Sequence, residues 1–597
     1  MSTRINKWFS KFLIWRLKNI PQKQFIQILS AIIGLLAGLG AVTLKNLTHL
    51  IQSLLEGKFI REIHQAFYFS FPIIGLLIVT LMIRYIIKKK VGHGIPSTLF
   101  SISKQKGIMS RHQMWASLLT APVTVGFGGS VGLEGPTVAT GAALGSNFAR
   151  LFHLNQTTRT LLIGAAATGA MSSIFKAPIA AIVFAVEIFG LELTMASMIP
   201  LLLASITAVL TSYFFLGDEV LLHFQLHEKF ALREVLFYVL LGITSATTSI
   251  YFSKVYFGIA DLFKKINNPY KKLAIGGVLI GITTFFIPPL FGEGYETINN
   301  ILKDDINNIV SGNIFGLSTQ NIWIIISFLI GLVVFKVIAM SVTFGGGGIG
   351  GVFAPTLFTG SISGYIFAVT INNTNLFEHQ LSTINYAMVG MAGLMAGVLQ
   401  APLTAIFLIA EITGGYALFV PLMIVSSISF LVTKHFIPHN IYAAELARKG
   451  QLMTLNKDKN ALLLMEIDTV IERNFISITP HMKLGKMLKK AVTKSNRNLF
   501  PVVSDENDFL GIILLDDIRN IMFNKKLYKK IFVRDLMHSA PEVIFYDSDS
   551  MEKIMKKFTD SGAWNLPVIK NEKYYGFISK SKLLTAYRKE LLASSSS

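Results

Sequence analysis

Glu134 is the residue of this chain whose surroundings most clearly indicate chemistry. It is the single charged residue in the stretch GGSVGLEGPTVATGAALGSNFA, residues 128–149, and the sequence on both sides is predominantly apolar. Glycines let backbones approach closely, and Pro136 suits the first turn of a helix. The pattern therefore predicts a helix that begins inside an apolar environment, with this carboxylate in its first turn.

A helix that begins in such a place can bind an anion. Its first N–H groups have no partner within the helix, and its dipole places partial positive charge at that end. Similar helix starts are predicted near residues 350–355 and at GHGIP, residues 92–96. Few cationic side chains lie nearby, so the predicted ligand is a small anion held chiefly by backbone amides.

Two roles for Glu134 fit this setting. A carboxylate at an anion site can occupy the site itself as a tethered competitor, and protonation or a change of rotamer would then release it, which makes Glu134 a gate. Alternatively, Glu134 is a buried structural acid that caps a helix or pairs with a basic residue. A carboxylate within a membrane is functional by default, but spacing alone leaves both roles open.

The elements that must position these residues belong to a membrane protein. Of the 597 residues, 52% are hydrophobic and 15% are charged, whereas soluble proteins carry about 25% charged residues. Apolar runs long enough to cross a bilayer are found at 27–45, 71–87, 235–252, 273–291, 322–342 and 416–433. The composition therefore predicts a polytopic α-helical membrane protein.

Charge and composition argue against several other classes. The formal net charge is +21, but Lys and Arg flank the apolar runs, as in cytoplasmic loops, and no nucleic-acid-binding motif accompanies them. The chain has no cysteine, which excludes disulfides and thiolate ligands, and its twelve histidines lack metal-ligand spacing. Because no nucleophile–base pattern is visible either, we expect no enzyme, no metal site and no nucleic-acid partner.

The membrane part contains an internal duplication. PTVATGAALGSNFA at 136–149 aligns with PTLFTGSISGYIFA at 355–368, and APIAAIVFAVEI at 177–188 aligns with APLTAIFLIAEI at 401–412. Two matched blocks in the same order indicate a repeat-built transporter or channel, with its substrate between the repeats near the bilayer midplane. The matching letters do not distinguish parallel from inverted repeats.

A second duplication lies after residue 450, where charges recur every few residues. NLFPVVSDENDFLGIILLDDI at 498–518 matches NLPVIKNEKYYGFISKSKL at 565–583, and an amphipathic helix precedes each copy. The pair resembles the CBS motifs of a Bateman module over about 460–590. In that family, the cleft between the repeats often binds adenine nucleotides.

The resemblance to CBS motifs makes Asp517 and Ser579 the candidate nucleotide-binding residues. The ribose-binding pattern of the family needs a hydroxyl residue and, three positions later, an Asp. Leu514 replaces the hydroxyl residue in the first copy, and Lys582 replaces the acid in the second. The resemblance therefore favours a structural or dimerising tail, with an adenine nucleotide at the pair as the alternative.

The membrane part resembles the CLC family of chloride channels and proton/chloride exchangers over about 25–450. GLEGP at 132–136 is similar to the family motif G-[K/R]-E-G-P, GHGIP at 92–96 to G-S-G-I-P, and GGVFAP at 350–355 to G-G-x-F-x-P. GEGYETI at 292–298 also fits the family pattern. Several motifs in one order make this resemblance specific.

The resemblance implies a fold, partners and a site. The expected fold class is an α-helical polytopic membrane protein of CLC type, with inverted internal repeats and broken helices, followed by a C-terminal α/β CBS-pair domain. A homodimer in the lipid bilayer is implied, with one chloride pathway per subunit, Glu134 as its gate and no required cofactor. The residues implied to bind the anion are His93, Gly94, Ile95, Val352, Phe353 and Tyr442.

Predicted boundaries follow from these assignments. They are a cytoplasmic N-terminal segment at 1–24, membrane repeat 1 at 25–217, a connecting loop at 218–234, membrane repeat 2 at 235–450 and the CBS pair at 460–590. The expected location is a bacterial plasma membrane, with the CBS tail in the cytoplasm.

His93 departs from the family pattern, which has a serine whose hydroxyl contacts the central anion. Neutral histidine can still donate one hydrogen bond, and protonated histidine would add charge, so the preference for chloride over nitrate is open. Alternatively, His93 points away and leaves the amides of Gly94 and Ile95 to bind the anion.

Ile188 is the second departure. Exchangers of the family usually carry two adjacent acids here, of which the first looks structural and the second is the inner proton glutamate. The pair in this chain is Glu187-Ile188, and an apolar side chain cannot relay a proton. Glu411, the counterpart of Glu187 in the second repeat, is expected to be a buried structural acid.

The expected function is therefore a chloride-selective channel with passive, voltage- or pH-gated conduction. The alternative is a proton-coupled exchanger of chloride or another small anion. A nucleotide sensor that uses the membrane part only as an anchor is disfavoured, because the pathway motifs are intact and the CBS pattern is incomplete.

Overall fold

The computed structural model describes residues 2–55, 64–92, 94–192, 194–217, 222, 230–311, 321–374, 380–413, 416–448, 462 and 465–595. The chain forms two compact units, Met1–Leu452 and Met453–Ser597. The described part of the first unit is built from helices, and the second unit combines helices with strands.

The helices of the first unit vary widely in length. They are α1 Ser2–Asn19, α2 Gln22–Leu55, α3 His64–Leu81, α4 Ile95–Lys104, α5 Ala116–Gly126, α6 Glu134–Leu151, α7 Gln156–Phe175, α8 Pro178–Phe189, α9 Met195–Leu216, α10 Val235–Lys264, α11 Pro269–Phe286, α12 Tyr295–Leu302, α13 Ile306–Ser311, α14 Ile322–Gly345, α15 Phe353–Asn373, α16 Thr383–Val398, α17 Pro402–Ile412, α18 Phe419–Phe436 and α19 Ala444–Arg448. A π-helical turn at Met82–Ile87 extends α3, and 3₁₀ turns lie at Arg111–Met114, Leu232–Glu234 and Pro288–Leu290.

Seven helical segments in the described part of the chain are long and apolar enough to cross a membrane. They are Gln22–Leu55, Phe69–Ile87, Met195–Leu216, Leu232–Lys264, Ile322–Gly345, Phe353–Asn373 and Phe419–Phe436. The segments that correspond to α9 and α15 were not among the apolar runs identified in the sequence. Conversely, the run predicted at 273–291 is too long, because α11 ends at Phe286 before two prolines that cannot continue it.

Other helices are too short to span a bilayer. Helices α4, α5, α8 and α17 have 10, 11, 12 and 11 residues, roughly half of the 20 that a bilayer needs. Of the three helices whose starts the sequence predicts, α4 belongs to this short set, whereas α6 and α15 have 18 and 21 residues.

Both halves of the first unit share one packing pattern. Helix α7 packs against α2, α6, α8 and α9, and α16 packs against α10, α15, α17 and α18 in the same way. The equivalent helices α8 and α17 also pack against each other in opposite directions, because the last turn of each contacts the first turn of the other. The repeats are therefore inverted.

Equivalent glycines explain how tightly α6 and α15 pack against their neighbours. A Cβ atom on Gly145 of α6 would lie 2.3 Å from the carbonyl oxygen of Leu162, and one on Gly364 of α15 would lie 2.0 Å from that of Tyr386. Both distances are far below van der Waals contact, so only glycine allows these backbones to approach, as at many helix contacts within membranes.

The second unit repeats a strand–turn–strand–helix order. Its elements are α20 Ile467–Val470, β1 Ile471–Glu472, α21 Leu484–Met487, β2 Leu499–Val503, β3 Phe509–Leu514, α22 Leu515–Ile518, β4 Ile544–Phe545, α23 Met551–Ser561, β5 Asn565–Lys570, β6 Lys573–Ser579 and α24 Lys580–Ser595. Strands β2 and β3 form one antiparallel sheet, and the other sheet has the order β1-β6-β5-β4. Each copy also has its own apolar core, which confirms the predicted α/β CBS pair.

Candidate anion pathway

The three predicted helix starts meet at one place. Gly132 and Gly351, just before α6 and α15, exchange two backbone hydrogen bonds with N···O distances of 2.9 and 2.7 Å. Gly94, the N-cap of α4, packs against Gly135, because a Cβ atom on Gly94 would lie 2.7 Å from the carbonyl carbon of Gly135. Gly94 also has a φ of 73°, which favours glycine. The N-termini of α4, α6 and α15 therefore converge.

Glu134 lies at this convergence. It is the first residue of α6 and is only 1% exposed. Its Oε1 accepts a hydrogen bond of 2.5 Å from the hydroxyl of Tyr295, at the start of α12. Its carboxylate also faces the backbone amide of Ala354 in α15. The side chain folds back over Gly132, since a Cβ atom there would lie 2.0 Å from Oε2, and Oε2 has no hydrogen-bond partner among the described residues.

Tyr442 and Phe353 belong to the same region. Tyr442 is 4% exposed, its hydroxyl has no hydrogen-bond partner within the described part of the chain, and it lies close enough to Glu134 for the charge of that carboxylate to act on it. Phe353 opens α15 and packs its ring against Phe175, with 5.1 Å between the ring centroids. The structure thus brings two of the predicted anion-binding residues to the predicted gate.

The remaining predicted anion-binding residues lie at or next to the starts of α4 and α15. Ile95 is buried in the first turn of α4, and Val352 is the buried N-cap of α15. The carbonyl of Gly94 accepts hydrogen bonds from the amide and hydroxyl of Ser97, at 3.2 and 2.7 Å. His93 lies outside the described residues, so both of its alternatives stay predictions.

Three residues near the gate were given no role from the sequence: Glu293 and Tyr295, which lie in the GEGYETI segment, and Lys336. The Glu293 Oε1 accepts a hydrogen bond of 2.9 Å from the amide of Leu133, the N-cap of α6. Lys336 lies in the middle of α14, is 0% exposed and donates a hydrogen bond of 2.9 Å to the carbonyl of Gly292. A charge inside an otherwise apolar span was the signal that could have identified Lys336.

A cavity leads to these residues. It has a volume of about 590 Å³, and its lining includes Lys45, Glu134, Glu293, Tyr295, Glu296 and Lys303. Both signs of charge line it, and the cavity is large enough to hold many water molecules. Glu134 therefore lies where this cavity, called the vestibule below, meets the converging helix starts.

Glu187 and Glu411 form a pair of reciprocal helix caps. Glu187, near the end of α8, accepts hydrogen bonds from the amides of Leu403 and Thr404 at 3.0 and 2.7 Å. Glu411, near the end of α17, accepts from the amides of Ile179 and Ala180 at 3.0 and 2.7 Å. Each carboxylate satisfies N–H groups that the other repeat's helix leaves unpaired, as expected of structural acids, but Glu411 is half-buried and not buried as expected.

Removing either cap should destabilise the protein without changing transport. Glu187→Ala and Glu411→Ala are each expected to lower the free energy of unfolding by about 2 kcal/mol, because two N–H groups lose their partner. Unfolding in mixed micelles measures the loss, with Glu296→Ala as the exposed control. Loss of proton coupling in Glu187→Ala at unchanged stability would show a transport role instead.

Ile188 follows Glu187 and is buried in the last turn of α8. Its side chain offers no site for a proton. The structure therefore places an apolar residue at the position that the resemblance assigns to the inner proton acid.

The two candidate nucleotide residues of the CBS unit both make contacts within the protein. The Asp517 Oδ2 accepts a hydrogen bond of 2.7 Å from the amide of Leu514 and lies 3.0 Å from the His538 Nε2. The Ser579 hydroxyl donates to the Glu472 Oε1 at 2.5 Å. A cavity of about 480 Å³ lies beside Ser579.

Comparisons with known proteins agree with the motifs. The family model described as voltage gated chloride channel matches residues 74–434, and the CBS domain model matches 467–524 and 533–589. A putative chloride channel protein, ClcB-like, of Ralstonia nicotianae is 28% identical over 387 residues, 63% of this chain and 85% of the relative. An H(+)/Cl(-) exchange transporter ClcA of Vibrio campbellii is 29% identical over 344 residues, which are 56% of this chain and 68% of the relative.

Solved structures share the fold. A slow cyanobacterial Cl-/H+ antiporter has a TM-score of 0.61 at 22% identity, covering 72% of this chain and 99% of that one. A eukaryotic CLC transporter has a TM-score of 0.59 at 17% identity, covering 93% and 97%. With a family model that matches most of the membrane unit, and with the GLEGP glutamate at converging helix starts, this chain belongs to the voltage-gated chloride channel (CLC) family of integral membrane proteins and carries two CBS domains.

Proposed function

We propose that this protein exchanges chloride, or another small monovalent anion, for protons across a membrane. The observation that carries the proposal is the position of Glu134, a buried carboxylate among the converging N-termini of α4, α6 and α15. Exchange is preferred to the channel function expected from the sequence because several relatives are named H(+)/Cl(-) exchange transporters.

The proposed cycle depends on competition between Glu134 and the anion. The ionised carboxylate is attracted to the helix N-termini and occupies the place of the anion. Protonation removes this charge, and the neutral side chain yields the site to chloride. The carboxylate and the anion therefore alternate at one position. Each anion that enters the site replaces a side chain that leaves it carrying a proton, so the proton and the anion move in opposite directions.

Passive chloride conduction is the second candidate function, and Ile188 is the observation that favours it. The side chain is buried and apolar, so no proton passes through it. Proton exchange therefore requires a route between Glu134 and the inner solution that does not use Ile188.

Flux measurements on reconstituted full-length protein test this function. With a chloride gradient across liposomes and the membrane potential clamped, an exchanger drives protons uphill in fixed proportion to chloride. Adding a protonophore must abolish the proton gradient but not the chloride flux. Chloride flux without proton uptake would replace exchange by passive conduction, and no chloride flux would contradict both functions.

The assembly and location are part of the same proposal. We propose a homodimer with one anion pathway in each subunit, in a bacterial plasma membrane, with the CBS pair in the cytoplasm. The bacterial relatives and the family resemblance support this arrangement.

We also propose that the CBS pair binds ATP weakly or not at all. Asp517 and Ser579 are engaged by Leu514 and Glu472, and the Lys582 Nζ donates to the carbonyl of Ile471 at 3.1 Å. Calorimetry on full-length protein should find no binding tighter than about 1 µM. Lys582→Asp restores the acid of the ribose-binding pattern and serves as the matched variant, which should bind more tightly. Tighter binding by the wild type than this limit would contradict the proposal.

A further inference from the structure

We propose that Glu293 is a second titratable carboxylate of the gate, which shares a proton with Glu134 and sets the pH at which the anion pathway opens. This inference rests on the proposed function, because it assumes that protonation of Glu134 admits the anion. It assigns a role to a residue in the GEGYETI segment that faces the vestibule side of the gate.

Glu293 is held against the gate helix by direct contacts. Its Oε1 accepts a hydrogen bond of 2.9 Å from the amide of Leu133, the residue just before Glu134. Two positions after Glu293, the Tyr295 hydroxyl donates to the Glu134 Oε1 at 2.5 Å. One short segment therefore supplies both a partner for the gate carboxylate and a neighbouring carboxylate.

Charged and titratable groups face Glu293 from each neighbouring element. The charge of Glu134 comes from α6, the ammonium of Lys45 from α2, and the ammonium of Lys336 from α14; Tyr295 belongs to α12. Lys336 is buried and bonded to the Gly292 carbonyl, and its Nζ lies 4.7 Å from the centre of the Phe358 ring. The cluster thus contains two carboxylates, Glu134 and Glu293, and one fully buried cation, Lys336.

This charge balance favours one shared proton. Two carboxylates that interact at close range are costly to ionise together, so ionisation of either one makes the other hold its proton more firmly. Lys336 offsets one negative charge, and Lys45, which is only partly buried at the cavity, offsets less. With Glu293 ionised beside Lys336, Glu134 is the carboxylate that accepts the proton and leaves the anion site.

Glu293 also has access to protons. It is partly exposed, and it lines the same cavity as Glu134, Tyr295 and Glu296. Protons can therefore reach the pair from the vestibule through water, without passing the anion site itself.

The test measures chloride flux against pH in liposomes that contain full-length protein. Glu293→Gln keeps an oxygen acceptor for the Leu133 amide but loses the charge, and it should shift the pH of half-maximal flux downward by about one unit. Glu293→Asp keeps the charge and should stay near the wild type. Glu296→Gln, an exposed acid of the same cavity, is the matched control and should cause no shift.

Combining Glu293→Gln with Glu134→Gln distinguishes a failure of this inference from a failure of the proposed function. In Glu134→Gln, the pH dependence should already be absent, and adding Glu293→Gln should change nothing. If Glu134→Gln is flat but Glu293→Gln titrates like the wild type, the shared proton is wrong and the gate stands. If Glu134→Gln keeps its pH dependence, the gate itself is wrong.

Lys45→Gln keeps the test decisive even if Glu293→Gln fails to fold. Loss of this cavity cation should shift the pH of half-maximal flux upward, opposite to Glu293→Gln. Without the positive charge of Lys45 nearby, the two carboxylates bind a proton more readily. An unchanged profile in Lys45→Gln would overturn the inference.

Discussion

Replacing Glu134 with glutamine should make anion flux independent of pH and abolish coupled proton movement. Glutamine is nearly the same size as protonated glutamic acid but cannot ionise, so the charge that competes for the anion site never forms. Wild-type flux should change by up to about tenfold for each pH unit on the limiting side of the gate's midpoint, whereas the variant should change by less than about twofold.

The measurement is chloride efflux from liposomes at several pH values, with proton uptake followed in parallel. Glu296→Gln removes an acid from the same cavity without touching the gate, so it should retain the wild-type profile. Wild-type pH dependence in Glu134→Gln would mean that Glu134 is not the gate. Persistent uphill proton uptake in that variant would mean that protons cross by a route independent of this residue.

Replacing Lys336 with methionine should strongly destabilise the protein. Lys336 is 0% exposed and interacts with the charge of Glu293. Methionine nearly preserves the length of the side chain but removes its hydrogen bond to the Gly292 carbonyl and the cation that offsets the charge of the partly exposed Glu293. Removing one partner of a buried charge interaction costs up to about 3–5 kcal/mol. The loss should appear as a lower midpoint of unfolding in mixed micelles.

A double variant separates the charge from the packing of Lys336. Lys336→Met combined with Glu293→Gln removes both charges, and it should recover part of the lost stability because no carboxylate charge is left without the cation that offsets it. Lys264→Met, at an exposed lysine whose side chain is 58% accessible, is the control and should change stability by less than about 1 kcal/mol. Equal stability of Lys336→Met and this control would contradict a stabilising interaction between Lys336 and Glu293.

Much of the fold could be predicted because its signals are local. Glycines and prolines before Glu134 and Phe353 mark helix starts, since only certain residues fit a backbone turn or a first helical turn. The lengths of apolar runs identify membrane spans for a similar reason. The thickness of the bilayer sets how many consecutive apolar residues a spanning helix needs. The length of apolar runs did not identify α15 as a membrane span, because its hydroxyl-bearing residues and glycines interrupt the apolar pattern.

A local sequence signal could not decide between a channel and an exchanger. The sequence expectation of a channel rested on Ile188, whereas several relatives are named H(+)/Cl(-) exchange transporters. A missing acid at one position shows that this side chain does not carry protons. It does not show where else protons can pass, because a proton route is a property of many residues and of water between them.

The sequence by itself determined the class of the protein, its duplicated membrane part, its CBS pair and the gate candidate Glu134. Tertiary structure alone decided that Glu187 and Glu411 cap each other's helices and that Glu293 lies beside the gate, and it confirmed the inverted repeats that the family resemblance implies. The reason is distance along the chain: Tyr295 and Glu134 are 161 residues apart, yet share a hydrogen bond. Helical periodicity and turn signals specify neighbours a few residues away, and contacts between distant segments exist only once the helices have packed.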